Sequence, residues 1–303
     1  MALKVTRLTL LLFGLLALLG ACQASPIAAP TIRLGYKRFT EQAILRDLYR
    51  LLLEQGGFAV DISQGDLQET AILHSALLSG TIDLYPEYTG TALQVVLNQP
   101  KDNDAERVAA TVATMYQSQF NLIWLQRAPM NNTWAIAMSP VLAGKYDITT
   151  ISDFVAHANQ LSLVGPPDFQ SNPDAMPAMK QVYGDFTLKH YSAVHPNERY
   201  QTFISNRNDA VVAFSTDGEL NAYNLMVLED DLHLFAPYQV APVVRQDVLE
   251  RYPQIRTILD PLAPLLTDTT MQRLNNEVSG KRRASADVAR EFLIQQGLLK
   301  PAP

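Results

Sequence analysis

Cysteine is almost absent: Cys22 is the single one among 303 residues, so internal disulfides are excluded. Charge is sparse too, at 18% with a formal net of −6, and nothing in that balance suggests a nucleic-acid partner. The five histidines, His74, His157, His190, His195 and His233, show no His-Glu-x-x-His spacing, and no Gly-x-Ser-x-Gly elbow occurs. Glu229-Asp230-Asp231 lacks further ligand spacing and reads as a solvated acidic turn, so no metal site is expected. No internal repeat or low-complexity run is visible. The apolar run Leu8 to Leu19 is too short to be a comfortable membrane span. These absences disfavour an enzyme and require no cofactor.

What is present is a globular balance, 48% hydrophobic, in a chain long enough for about two domains. Lys4 and Arg7 precede the apolar run, as in an export signal. Leu19-Gly20-Ala21-Cys22 follows and resembles the lipobox of bacterial lipoproteins, whose cysteine is lipidated and becomes the first residue. The alternative is an ordinary cleaved signal peptide with an incidental cysteine. Residues 1–21 are thus expected to be a signal peptide and 22–31 a lipid-anchored, Ala/Ser/Pro-rich tether. Losing residues 1–21 removes Lys4 and Arg7 and no acid, leaving a net charge of −8.

From Thr31 the pattern alternates strand and helix. Thr31–Tyr36 reads as a strand, followed by a helix capped by Thr40 with Ile44, Leu45, Leu48, Leu51 and Leu52 on one face. Phe58, Val60 and Ile62 alternate as a second strand, and Asp66 with Glu69 has the spacing of a capping box for the next helix. Ile82 and Leu84 mark a third strand, which Pro86 is expected to stop. Together these predict a largely parallel sheet. Thr89-Gly90-Thr91 supplies N–H groups and hydroxyls at a helix start, suited to a small polar or anionic group, beside the aromatic face of Tyr88. A second α/β alternation runs from Thr133 to Leu228, Ala241–Val244 reads as a strand returning to the first half, and the tail is helical.

Gly35-Tyr36-Lys37-Arg38-Phe39-Thr40-Glu41-Gln42 resembles the Gly-x-Lys-x-Phe-Thr-Glu opening of quaternary-ammonium substrate-binding proteins of osmoprotectant ABC importers. Asp83-Leu84-Tyr85-Pro86-Glu87-Tyr88-Thr89-Gly90-Thr91 is similar to that family's most distinctive stretch. Asn131-Asn132-Thr133-Trp134-Ala135, Ser215-Thr216-Asp217-Gly218 and Pro237-Tyr238 continue it in order. The resemblance implies an α/β chain of the type II periplasmic-binding-protein fold: two α/β lobes, a ligand cleft between them and two crossing strands. It assigns 32–133 plus 240–303 to lobe 1 and 134–239 to lobe 2.

The implied role is capture of a choline- or glycine-betaine-type compound outside the cytoplasm and delivery to ABC permease subunits, with lipid on Cys22 holding the chain to the periplasmic or extracellular face of a membrane. The alternative keeps the receptor but changes its ligand to an amino acid or a betainised metabolite such as ergothioneine. Porphobilinogen deaminase, an enzyme of the same fold, attaches its cofactor to a folded-domain cysteine, and Cys22 does not fit that.

The resemblance also implies a site. Tyr88, Trp134, Phe214 and Tyr238 match the aromatic cage, which rests on cation–π attraction. Lys37 and Thr91 match groups on the carboxylate side, and Asn132 offers a carbonyl to the head. Asn172 stands where family members often carry an Arg that pairs with the ligand carboxylate. An amide does not replace that fork, so choline is expected to bind at least as tightly as glycine betaine. Arg38 is the basic neighbour able to stand in.

Overall fold

A computed structural model describes residues 29–63, 65–67 and 69–301, so Cys22 and the signal segment lie outside the described residues. β1 (Thr31–Arg33) pairs in parallel with β2 (Ala59–Asp61). Between them runs α1 (Thr40–Gln55), whose buried face carries Ile44, Leu45, Leu48, Leu51 and Leu52 at helical spacing. Thr40 is its first residue rather than its cap; extended Phe39 takes that position, and no side chain caps the helix. α2 (Thr70–Leu78) is likewise not capped by Asp66, which bridges to Tyr36 and pairs with Arg38 at 3.0 Å.

β3 (Leu84–Tyr88) is buried throughout and runs straight through Pro86. β10 (Val240–Arg245) explains this by pairing antiparallel with β3 and setting Pro242 opposite Pro86. The Pro86 carbonyl turns away from β10 and accepts from Gln42 Nε2 at 3.1 Å, while the Pro242 carbonyl accepts from Leu125 N at 2.9 Å. At such a non-hydrogen-bonded pair a missing N–H removes no ladder bond. α3 (Ala105–Phe120) leads to β4 (Leu122–Trp124), on the other side of β10. In the first lobe β1 thus lies parallel to β2 and, through the Leu34–Leu84 bridge, to β3, as the pattern suggests, while β10 and β4 add antiparallel strands beyond β3.

The other lobe is built on β5 (Trp134–Met138), β6 (Ser162–Gly165), β7 (His190–Ala193), β8 (Ala210–Phe214) and β9 (Met226–Val227), in the order β7–β6–β8–β5–β9. α4 (Met176–Tyr183), α5 (Arg199–Ser205) and α6 (Gly218–Ala222) flank it. α7 (Asp268–Asn275) and α8 (Ser285–Gln295) return to the first lobe, where Phe292 and Leu293 join Leu45 and Leu48 in one core. A separate core holds Ile136, Phe154, Leu163 and Val212.

Two stretches cross between the lobes. Asn131 bridges antiparallel to Gln239, Tyr238 N donates to Asn131 Oδ1 at 2.6 Å, and Asn132 N donates to the Tyr238 carbonyl at 3.2 Å. One asparagine side chain thus takes the place of a ladder bond, which fixes where the lobes meet.

Candidate functional site

The crossing stretches set the end of β3 against the start of β5 and the end of β8, and a cavity of about 1150 Å³ opens there. Lys37, Tyr88, Thr91, Asn132, Trp134, Phe214 and Tyr238 all line it. Asn172 does not. It is exposed at the end of the short helix Pro167–Ser171, and its side-chain oxygen accepts from Asp174 N at 2.9 Å. The Asn-Pro-Asp turn uses the carboxamide locally, a usual Asx role.

Trp134 and Phe214 are cross-strand partners, which is why their rings stack at 4.5 Å and 25°. They form one continuous apolar wall, backed by buried Phe169, which meets Trp134 edge-on at 5.4 Å. Tyr88 is buried, and its Oη donates to Glu41 at 2.7 Å. The Lys37 ammonium lies 5.3 Å from the Tyr88 ring centroid, and Phe39 stacks on Tyr88 at 6.3 Å. Tyr238 packs over Gly90, where a Cβ would stand 2.6 Å from the Pro237 carbonyl oxygen and 2.9 Å from the Tyr238 ring. Gln94 Nε2 donates to Tyr238 Oη at 3.3 Å.

Charge is distributed differently from the expectation. Lys37 is buried and its ammonium is held by Glu87 at 2.5 Å, while Glu87 also accepts from Tyr88 N at 2.7 Å and Tyr85 Oη at 3.2 Å. Lys37 is therefore already committed to a carboxylate within the protein. Arg38 faces Asp66 and does not line the cavity.

Glu41, Arg199, Asn275 and Arg282 are among the lining residues that sequence reasoning did not assign to the site. Arg199 pairs with Asp217 at 2.5 Å, and Asp217 also accepts from Tyr200 Oη at 2.7 Å and Phe214 N at 2.8 Å. Exposed Arg282 lines the rim. Glu41 accepts from Asn132 Nδ2 at 3.0 Å and Asn275 Nδ2 at 3.2 Å as well as from Tyr88. Its place in the Phe39-Thr40-Glu41 motif beside Lys37 was the available signal. Among the described residues no lysine or arginine stands over Trp134, Phe214 or Tyr238.

Residues 30–295 match the family described as the substrate binding domain of ABC-type glycine betaine transport system. The chain is 33% identical over 297 residues to the ergothioneine transport permease/ergothioneine binding protein of Helicobacter pylori, covering 97% of this chain and 53% of that one. It thus spans about half the length of that relative. It is 32% identical to the glycine-betaine-binding protein of Pseudomonas aeruginosa, with 94% of each chain covered. A solved structure described as a glycine betaine/carnitine/choline ABC transporter superposes with a TM-score of 0.85 at 26% identity, over 90% of this chain and 100% of that one. The two-lobed α/β architecture is that of the periplasmic binding proteins.

Proposed function

The chain belongs to the family of substrate-binding domains of ABC-type glycine betaine transport systems, and from that premise we propose that it captures a quaternary ammonium compound of choline or glycine betaine type and delivers it to the permease of an ABC importer. The observation that carries this reading is the stacked Trp134–Phe214 wall on a cavity that also holds Tyr88 and Tyr238. A desolvated cation over such faces gains about 2 kcal/mol or more. We assign the head to these four aromatics and to Asn132, with Thr91 toward the tail. We divide the lobes at 32–133 plus 240–303 and 134–239. The chain acts by binding and release, without catalysis.

Calorimetric titration of the chain from Gln23 onward with choline, glycine betaine, carnitine and ergothioneine tests the reading. The Helicobacter pylori relative is the reason to include ergothioneine. Trp134→Ala is expected to weaken binding about ten- to a hundredfold, on the order of 1–3 kcal/mol. Unchanged affinity would contradict the cage.

Selectivity no longer rests on Asn172. Lys37 is neutralised by Glu87 and Arg199 by Asp217, so among the described residues lining the cavity a betaine carboxylate meets no free buried cation, whereas the neutral choline hydroxyl needs only an ordinary hydrogen bond. Choline is expected to bind at least as tightly as glycine betaine. A strong preference for glycine betaine that Arg282→Ala abolishes would assign the carboxylate to Arg282 instead.

Anchoring is proposed through Cys22, with the protein facing away from the cytoplasm. Mass spectrometry of membrane-derived protein is expected to find lipid on Cys22; an unmodified thiol there would contradict it.

A further inference from the structure

Glu41 lines the cavity from the first turn of α1, is 3% exposed, and forms no ion pair with a lysine or arginine among the described residues. Two neighbouring carboxylates do have cations: Glu87 has Lys37, and Asp217 has Arg199. Glu41 instead accepts from neutral donors on separate parts of the fold. These are Tyr88 Oη at the end of β3, Asn132 Nδ2 in a crossing stretch and Asn275 Nδ2 at the end of α7. Asn275 is held in this orientation by a second bond from Nδ2 to the Thr216 carbonyl at 2.8 Å, at the cost of a side-chain oxygen buried without a partner. The surroundings are thus built for an acceptor-only, ionised carboxylate. Neutral donors stabilise that anion without cancelling its charge.

Resting on the proposed capture of a quaternary ammonium compound, we infer that Glu41 is the counter-charge of the bound head and the residue that makes the cleft select a cation. A tetraalkylammonium head has no N–H to donate. It needs only π faces and a nearby negative charge, so a carboxylate whose oxygens are already occupied by donors suits it without losing a hydrogen bond.

Binding is then linked to protons. Burial pushes the Glu41 carboxyl above its ordinary range, against the hydrogen bonds from Tyr88, Asn132 and Asn275 that hold it down. Protonation removes the counter-charge, so affinity for a permanent cation falls with pH. The other charged or titratable groups around it are Tyr88, the Lys37–Glu87 and Arg199–Asp217 pairs, Glu219 and Arg282 on the cavity wall, and Asp268 at the start of α7. Asp268 is pushed up to about 6 by burial, with the charge of Glu41 adding to it, so it titrates nearby and needs its own control.

The test is calorimetry with choline on the parent protein, Glu41→Gln and Asp268→Asn at about pH 5 and about pH 7.5, in two buffers of different ionisation enthalpy, which counts protons exchanged. The parent is expected to bind more weakly at the lower pH and to release protons there on binding. Glu41→Gln is expected to bind at least about tenfold more weakly at the higher pH and to lose the pH dependence, while Asp268→Asn keeps it. Parent affinity that is independent of pH, or a Glu41→Gln protein with parental affinity and pH dependence, overturns the inference. If Glu41→Gln does not fold, the proton count of the parent and of Asp268→Asn decides alone. A parent protein that binds none of choline, glycine betaine, carnitine or ergothioneine overturns the functional reading, and this inference with it.

Discussion

Lys37 and Glu87 sit almost wholly out of water, 2.5 Å apart, with the ammonium 5.3 Å from the Tyr88 ring centroid. Removing one partner of such a pair strands the other, at a cost of about 3–5 kcal/mol. Lys37→Met is therefore expected to destabilise the protein by that order in urea unfolding, and Lys37→Met with Glu87→Gln to recover part of the loss. A single variant as stable as the parent would contradict the buried pair. Asp268 gives a pH-dependent counterpart. Burial lifts its carboxyl from 3.8 to about 6, against the Asn131 N–H at 2.7 Å. The folded state then holds its proton more tightly than the unfolded chain, so stability falls as pH rises from about 4 to 6, and the full cost is present above that. Asp268→Asn keeps an oxygen for the Asn131 N–H and is expected to stabilise the protein by about 1–3 kcal/mol at neutral pH, with the gain vanishing below about pH 4. A gain that persists in acid would contradict the titration. Glu41 shows the limit of reading at this scale. From sequence it is an acid in the first turn of a helix; the donors that define it arrive from residues 88, 132 and 275.

Among the elements, the turn Thr89–Thr91 after β3 carries a close backbone approach at the site. Gly90→Ala would drive a methyl into the Pro237 carbonyl and the Tyr238 ring, so Tyr238 must shift. Ligand affinity is expected to fall about tenfold or more, with modest loss of thermal stability; full retention of affinity would show that Tyr238 is not a wall of the site. The apolar face of α1 was legible because its pattern is local, apolar residues at helical spacing within one segment. β3 was misread at Pro86 because tolerance of a proline depends on which side its partner strand lies, and that partner, β10, is more than 150 residues away. Asn172 was misplaced for a related reason: its motif slot says nothing of the local turn that takes its side-chain oxygen.

For the whole molecule, two α/β halves and a returning strand were visible in the alternation of the chain, and the motif order from Lys37 to Tyr238 identified the residues that meet at the cavity. The pairing of charges was not visible, because each pair joins residues distant in sequence, Lys37 with Glu87 within the first lobe and Arg199 with Asp217 within the other, and only the packing of each lobe brings them together. That pairing leaves a cleft lined by aromatic rings, with a buried Glu41 and its own buried cations already matched. The central claim is that this cleft recognises the positive charge of an ammonium head, not merely its shape. Comparing the affinity of the parent protein for choline with that for 3,3-dimethyl-1-butanol, its uncharged carbon isostere, tests this most directly. The account predicts that choline binds at least about tenfold more tightly. Equal affinities for the two, or a preference for the neutral alcohol, would contradict it.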